Sequence, residues 1–441
     1  MTAVATDREM DNPAGRARGW RAVGVWPLAA MLLLALVKLG WHAATTYWAQ
    51  PHLAQYFLID LNIYLDATRD MLSGKGLYDA DPPFNYPPFA AYLFIPLAVL
   101  PVWLSATIWY VAKMVCLQLL LWWYLGRREI TFRRRLTLTL VGGFFLSMLL
   151  EPMQHDFAAG QVNLLLMGLV VYDLCRPDDP AAPARLRGVG TGIAAAVKIV
   201  PALFIVHLFL TRQYRAATVA TTTFLTTVAL GFATLPTTAW RYWTDVLWAT
   251  DRVHEHPGNV LNQSLRGVVA RMGGLETRLE WALLAAVVAA AGLAIAVGLH
   301  RRGRTLESLS AVGLVIPLVT PYSWTHHWAW LLPATLLLFG WARGSKGRLL
   351  LAVTLTLLIN GKTYFMVNLG NDRDLWSHEG SLQLTPLEQL LAANVVLGGL
   401  ALLTMGALAL RGGRSDGPVR QADGPAASRG GVGTTGRIEA R

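Results

Sequence analysis

The chain is poor in charged residues and in cysteine. Only 15% of its 441 residues are Asp, Glu, Lys or Arg, whereas soluble domains carry about 25%, so an ordinary water-covered surface is excluded. Its two cysteines, Cys116 and Cys175, lie in apolar runs, and no disulfide framework is expected. The chain also lacks HExxH and CxxC motifs, a P-loop and a Rossmann glycine fingerprint. We therefore expect no metal site, no cofactor and no nucleotide-binding domain.

Apolar sequence is what the chain has in abundance. Hydrophobic residues make up 54% of it and the mean hydropathy is +0.40. About thirteen apolar runs of spanning or near-spanning length recur between residues 22 and 410, which predicts an all-α polytopic membrane protein with about 11–13 transmembrane helices. Several runs are short or interrupted by proline, and we expect these to be broken or re-entrant helices that line a cavity.

The basic residues are distributed unevenly along the chain. The net charge is +11, and 26 of the 38 Lys and Arg residues fall in the N-terminal segment, in alternate loops and in the C-terminal tail. The positive-inside rule therefore places the N-terminus in the cytoplasm of a cell-membrane protein. The positive charge is then a topology signal, and no nucleic acid is expected as a partner.

These patterns divide the chain into segments. Residues 1–21 form a cytoplasmic N-terminal segment, 22–410 the membrane domain, and 411–441 a cytoplasmic tail whose Gly-, Ser- and Arg-rich sequence predicts disorder. The larger polar loops all fall on the opposite, extracytoplasmic side, where chemistry would take place: 48–86, 237–280 and 368–385.

The first of these loops contains a predicted amphipathic helix. Three leucines and Thr68 follow helical spacing between residues 61 and 72, which is typical of a helix lying in the membrane interface. Asp66 and Asp70 point away from this stripe as solvated charges. Asp60 lies on its flank, where it is either a functional carboxylate or an acid that caps the helix or lies in its first turn.

Other polar residues occur at the ends of apolar runs or inside them. Gln161 and Asn163 open a span, where they either bind a sugar or serve as a helix cap and interhelical hydrogen bond. Lys198 lies within an apolar run, which indicates an anion site unless the side chain snorkels to the interface. Lys38 and Lys362 are nearer to the ends of their runs, and we interpret both as snorkelling.

Two later stretches carry further candidates. Asn262 and Gln263 form a potential hydrogen-bonding strip, and Arg266 can bind phosphate through its guanidinium fork. His326 and His327 are adjacent, so on a helix they project about 100° apart and cannot both hold one metal in the i, i+4 manner. Binding of a phosphate or hydroxyl at the membrane surface suits them better.

Taken together, these stretches resemble the polyprenol-phosphate-mannose-dependent mannosyltransferases of the GT-C superfamily, in particular the actinobacterial glycosyltransferase family 87. The resemblance covers most of residues 22–410. It rests on the order and spacing of seven short motifs: Asp60 with Tyr64, Gly76-Leu77-Tyr78, Tyr86-Pro87-Pro88, Gly160-Gln161-Val162-Asn163, Lys198-Ile199-Val200-Pro201, Asn262-Gln263-Ser264-Leu265 and Pro321-Tyr322-Ser323-Trp324-Thr325-His326-His327.

The resemblance implies a GT-C fold in which amphipathic helices of the first loop cover the active site. It also implies a lipid-linked donor, polyprenyl-phosphate-mannose, and a glycolipid acceptor held among membrane lipids. Asp60 would be the catalytic base. The residues implied in binding the donor phosphate are His326, His327, Lys198 and Arg266, and those implied in binding the rest of the substrates are Tyr64, Tyr86, Gln161, Asn163, Asn262, Gln263 and Trp324.

Four interpretations of the function remain open from the sequence. Within the family that the chain resembles, length, the position of Asp60 and the pair His326–His327 are most similar to members that convert phosphatidylinositol tetramannoside to the pentamannoside through an α-1,2 linkage. Relatives that branch lipomannan and lipoarabinomannan are similar enough to remain an alternative. A lipid-linked sugar transporter or flippase would also have many spans, although the sequence shows no inverted repeat with paired broken helices. A purely structural membrane protein predicts that changes at Asp60 affect stability alone.

Overall fold

The structure, a computed structural model, describes residues 26–45, 57–176, 186–249, 252, 256–274, 277–363, 367 and 384–411. The predicted N-terminal segment 1–21 lies outside these residues. So do residues 412–441 of the tail and most of the loop 368–385.

Within these ranges the chain forms helices and no strands. In chain order they are α1 (Trp26–Ala44), α2 (Ile59–Leu72), α3 (Pro88–Ala98), α4 (Val102–Leu125), α5 (Phe132–Leu149), α6 (Glu151–Ala159), α7 (Asn163–Cys175), α8 (Val189–Val197), α9 (Ala202–Leu210), α10 (Tyr214–Thr234), α11 (Pro236–Arg241), α12 (Leu265–Gly273), α13 (Arg278–Arg301), α14 (Thr305–Val319), α15 (Leu331–Ala342), α16 (Lys346–Asn360), α17 (Pro386–Ala392) and α18 (Asn394–Arg411).

Several of these helices are long and apolar enough to cross a bilayer. Five qualify singly, namely α1, α4, α10, α13 and α18, and the pair α5–α6 would make a sixth. The apolar helices α3, α7, α14 and α15 are shorter, at 10–17 residues. The prediction of an all-α, multi-pass membrane protein is confirmed. The count of 11–13 spans stays a prediction, because it depends on these shorter and broken helices.

The helical backbone is interrupted at two places, of which the sequence indicated the second, near Pro201. Helix α5 meets α6 at an angle of 83°. Helix α8 ends at Val197, the next residue Lys198 has an extended backbone, and α9 begins after Pro201. Irregular backbone at membrane depth is stable only where protein or a cavity satisfies its polar groups. Both breaks are close to the site described below.

Helix α2, predicted in the first loop, packs against α3 and α6. Leu61, Leu65 and Thr68 of its stripe are buried, while Leu72 at its end is exposed. Asp66 is exposed and pairs with Arg69, as expected of a solvated charge. The helix itself is confirmed; its location in the membrane interface stays a prediction.

The interpretation of Lys38 as a snorkelling residue is wrong. Its side chain is fully buried, and its Nζ donates to the carbonyl oxygen of Ser147 at 2.7 Å. Lys362 bonds Gln154 of α6 at 2.7 Å. Position near the end of an apolar run did not distinguish an interfacial lysine from one that joins two helices.

Candidate active site

Asp60 lies in the first turn of α2. The residue that caps this helix is Leu58, whose backbone is left-handed (φ 57°) and whose side chain makes no capping bond. Asp60 is therefore a first-turn acid and not the cap. Burial raises the pKa of its carboxyl to about 7, although Lys198 and a hydrogen bond from Gln161 act in the opposite direction. A carboxylate tuned in this way can accept a proton near neutral pH.

A chain of hydrogen-bonded side chains surrounds this carboxylate. The hydroxyls of Tyr64 and Tyr86 are 3.0 Å apart. The amide nitrogen of Gln161 donates to the Tyr86 hydroxyl at 3.2 Å, and Gln161 also bonds Asp60. We name Asp60, Tyr64, Tyr86, Gln161 and Lys198 the Asp60 group. Four separate stretches of sequence, including that of Asp60 itself, thus meet at one carboxylate.

Lys198 supplies the positive charge of this group. Its Nζ donates to Oδ1 of Asn163 at 3.0 Å and lies 5.3 Å from the centre of the Tyr86 ring. Asn163 in turn donates to the carbonyl oxygen of His326 at 3.0 Å. The break between α8 and α9 therefore places an ammonium group beside the mouth of α7 and the histidine pair.

The histidine pair is part of a row of three imidazoles. The ring of His326 is buried between those of His155 and His327, with centroids 4.6 Å apart on each side. His155 bonds Thr325 at 2.7 Å, and Thr325 donates to Glu151 at 2.8 Å. Within the described residues, neither ring nitrogen of His326 has a hydrogen-bond partner. Because buried polar groups are nearly always paired, a bound oxygen atom is their natural complement.

A small, partly open cavity lies beside these groups. Asn163, Lys198 and His327 contribute its polar lining, and the rest is mainly apolar, including Phe204 and Trp330. Such a cavity suits a molecule that joins an anionic group to an aliphatic chain.

The amides of Asn262 and Gln263, which we name the amide strip, are buried and bonded to backbone. Asn262 accepts a hydrogen bond from the backbone N–H of Ser323 at 3.0 Å. Gln263 donates to the carbonyl oxygens of Val260 and Ala392, at 2.8 Å each. These bonds tie three segments of chain together. The predicted role of the amide strip in substrate binding stays a prediction.

Arg266 and Trp324 contact residues outside the Asp60 group. Arg266 donates to Thr277 at 3.3 Å, and its guanidinium lies 5.8 Å from the centre of the Trp281 ring. The ring of Trp324 lies 5.1 Å from that of Tyr322. Their predicted substrate contacts also stay predictions.

Sequence reasoning missed a buried ion pair near the site. Nζ of Lys113 in α4 lies 2.6 Å from Oδ1 of Asp156 in α6, and both side chains are fully buried. A lysine inside a 24-residue apolar helix was the available signal, because an ionisable residue at that depth indicates function. His155 and Glu151 were also missed as neighbours of His326.

Comparison with known proteins identifies the family. Residues 84–321 match the model of glycosyltransferase family 87. The chain belongs to this family. It is 33% identical, over 74% of its length and 80% of the relative's, to the polyprenol-phosphate-mannose-dependent alpha-(1-2)-phosphatidylinositol mannoside mannosyltransferase of Mycobacterium tuberculosis strain H37Rv. No solved structure matches the chain significantly.

Two further relatives have a more specific name, polyprenol-phosphate-mannose-dependent alpha-(1-2)-phosphatidylinositol pentamannoside mannosyltransferase. The protein of M. tuberculosis strain CDC 1551 is 34% identical over 78% of this chain and 81% of its own. That of Mycolicibacterium smegmatis is 32% identical over 75% and 81%. The chain is thus a glycosyltransferase, which confirms the predicted enzyme and disfavours the transporter and structural alternatives.

Proposed function

We propose that this enzyme transfers mannose from polyprenyl-phosphate-mannose to a phosphatidylinositol mannoside and forms an α-1,2 linkage. The observation that carries the proposal is the cavity lined by Asn163, Lys198 and His327 beside Asp60. A polyprenyl phosphate has the chemistry that this cavity suits, a phosphate on a long aliphatic chain. The names of the relatives supply the sugar, the linkage and the acceptor class.

The reaction is a single inverting displacement. The donor is a β-mannosyl phosphate and the product is α-linked, so the acceptor hydroxyl attacks the anomeric carbon from the face opposite the phosphate. Asp60 takes the hydroxyl proton as the new carbon–oxygen bond forms. The bond from the anomeric carbon to the phosphate oxygen breaks, and polyprenyl phosphate leaves with the electron pair. Lys198 stabilises the negative charge that develops on that oxygen.

The other residues of the site bind and orient the two substrates. His326 and His327 contact the donor phosphate, and Gln161 holds both Asp60 and the Tyr86 hydroxyl. Tyr64 and Tyr86 form a wall against the sugar. The donor carries its own leaving group, and the proposed reaction uses neither a cofactor nor a metal ion.

The proposed acceptor is phosphatidylinositol tetramannoside, which becomes the pentamannoside. Length, the position of Asp60 and the pair His326–His327 favour it over the branching of lipomannan or lipoarabinomannan. We place the enzyme in the cell membrane with its N-terminus in the cytoplasm, because the basic residues are concentrated on one side of the predicted topology. The active site then faces the extracytoplasmic side.

The test is transfer by the purified enzyme in lipid nanodiscs. Polyprenyl-phosphomannose is supplied with phosphatidylinositol tetramannoside, pentamannoside or lipomannan, and products are analysed by mass spectrometry and α-1,2-mannosidase digestion. We expect one added mannose, removable by the mannosidase, with the tetramannoside preferred. Preference for lipomannan would move the enzyme to the branching reaction. Absence of transfer to every acceptor, with movement of intact donor across proteoliposomes, would support a flippase instead.

A further inference from the structure

A buried ion pair lies beneath the turn that carries Gln161 and Asn163. Besides the contact of 2.6 Å between Lys113 Nζ and Asp156 Oδ1, Nζ donates to the carbonyl oxygen of Asp156 at 2.5 Å. Two charges at this depth are costly to bury unless each is paired, and a hydrophobic pair would often serve stability as well. The position of this pair in the fold indicates what it does.

This turn, residues 160–163, is hydrogen-bonded at its ends to Asp156 and to Trp109, which precedes Lys113 on α4. The carbonyl oxygen of Asp156 accepts from the backbone N–H of Gln161 at 2.9 Å, and its Oδ2 accepts from that of Leu164 at 3.3 Å. Trp109, one helical turn before Lys113, donates from its ring nitrogen to the carbonyl oxygen of Gly160 at 2.7 Å. Asp156 therefore joins the end of α6 to the start of α7, and α4 holds it there.

The same turn supports the start of α2. The backbone N–H of Leu58 donates to the carbonyl oxygen of Ala158 at 2.8 Å. Gly160 is left-handed (φ 73°) and so close to α2 that a Cβ there would lie 2.7 Å from that of Leu61. A shift of residues 160–163 would therefore also shift the first turn of α2, which contains Asp60.

We propose that Lys113 and Asp156 are positioning residues for the transfer reaction: their ion pair holds the turn 160–163, and through it Gln161, Asn163 and the start of α2, in the arrangement that lets Asp60 act as base. This inference rests on the proposed function. In the proposed arrangement neither Lys113 nor Asp156 touches a substrate. Their effect passes through the hydrogen bonds of the turn and through their charges.

The two charges also act on Asp60 across space, in opposite directions. Asp156 raises the pKa of the Asp60 carboxyl and Lys113 lowers it. The other groups facing Asp60 are Lys198 and Gln161, which lower that pKa, and the hydroxyls of Tyr64 and Tyr86. Loss of one member of the pair therefore shifts the acid limb of the pH profile in a direction that identifies which member was lost.

The experiment compares Asp156→Asn, Lys113→Gln and their double variant with a control, Lys38→Met. Lys38 is equally buried and lies 4.7 Å from the centre of the Phe157 ring, as Lys113 does at 4.8 Å. It bonds Ser147 and not the turn. Transfer from polyprenyl-phosphomannose is measured between pH 5 and 9, and folding is followed by thermal unfolding.

We expect each single variant to lower kcat at least tenfold with little change in the KM of the acceptor. The acid limb moves to lower pH in Asp156→Asn and to higher pH in Lys113→Gln. The double variant has no uncompensated charge, so we expect it to fold and to keep its acid limb near that of wild type. Its kcat is still reduced, because the turn has lost the ion pair. Lys38→Met stays within twofold of wild type.

Two results would overturn the inference while leaving the proposed function intact. One is a folded double variant with wild-type kcat, and the other is a loss in Lys38→Met as large as in the single variants. Failure of the proposed function is a separate result, because it appears in the wild-type enzyme as absence of transfer.

Discussion

The Asp60 group and the amide strip are two polar regions that looked alike in sequence and differ in the structure. The side chains of the Asp60 group bond mostly to one another, and Lys198 lines a cavity. The amides of Asn262 and Gln263 bond backbone groups of distant segments. The amide hydrogens of both residues are taken by backbone carbonyls, and of their oxygens only Oε1 of Gln263 has no hydrogen-bond partner among the described residues. Polar side chains that organise a carboxylate beside a cavity have the arrangement of a reaction site.

After replacement of Asp60 itself, replacement of Lys198 by methionine gives the largest expected effect in this comparison. In the proposed reaction the variant loses the cation that stabilises the departing phosphate, and removal of one such group costs on the order of 100-fold or more in rate. Since Lys198 lowers the pKa of Asp60, the acid limb of kcat/KM also moves to higher pH. Steady-state transfer kinetics as a function of pH measure both effects. A change within twofold, like that expected of Lys38→Met, would show that Lys198 does not act in the reaction.

The next largest expected effect is the loss of wild-type activity at low pH. Asp60 must be ionised to accept a proton, and burial raises its pKa to about 7. The value of kcat/KM should therefore fall about tenfold for each pH unit below 7 and level off above it. An acid limb near pH 4 would mean that the essential base is an ordinary exposed carboxylate and not Asp60 in this environment.

Replacement of Gln263 by leucine should leave catalysis almost unchanged. It removes the side-chain donor to the carbonyls of Val260 and Ala392. Ala392 keeps a donor in Arg271 at 3.5 Å, whereas an unsatisfied buried group such as the carbonyl of Val260 costs about 1–3 kcal/mol. The melting temperature of the purified protein falls, while kcat of the folded fraction stays within twofold. A stable variant with a large loss in acceptor KM would instead make the amide strip part of the substrate site.

Arg266→Gln should have the smallest effect on transfer. The guanidinium bonds Thr277 and lies over Trp281, so the variant loses these two contacts. The charges of the Asp60 group are unchanged. We expect kcat/KM within threefold of wild type in the same assay. A loss comparable to that of Lys198→Met would show that this arginine reaches the donor phosphate during turnover.

The sequence predicted the parts of the site that local patterns and family motifs carry. Asp60 on the flank of an amphipathic helix and Lys198 in a proline-broken apolar run were found in this way. Lys113 and Asp156 were not, because an ion pair between residues 43 positions apart exists only once α4 and α6 pack together. Nor could sequence show what holds the amide strip in place, since the groups that bond it include the backbone of Ser323 and Ala392.

The central claim, that Asp60 is the base of a mannosyl transfer, is tested most directly by Asp60→Asn. With donor and tetramannoside acceptor present, we predict a loss of at least about 1,000-fold in turnover, because asparagine cannot take the proton. The melting temperature should be equal to or higher than that of wild type. The fold holds the pKa of Asp60 above its usual value, so ionised Asp60 destabilises the folded state above pH 7 and the neutral amide does not. Transfer by folded Asp60→Asn at the wild-type rate would contradict the account.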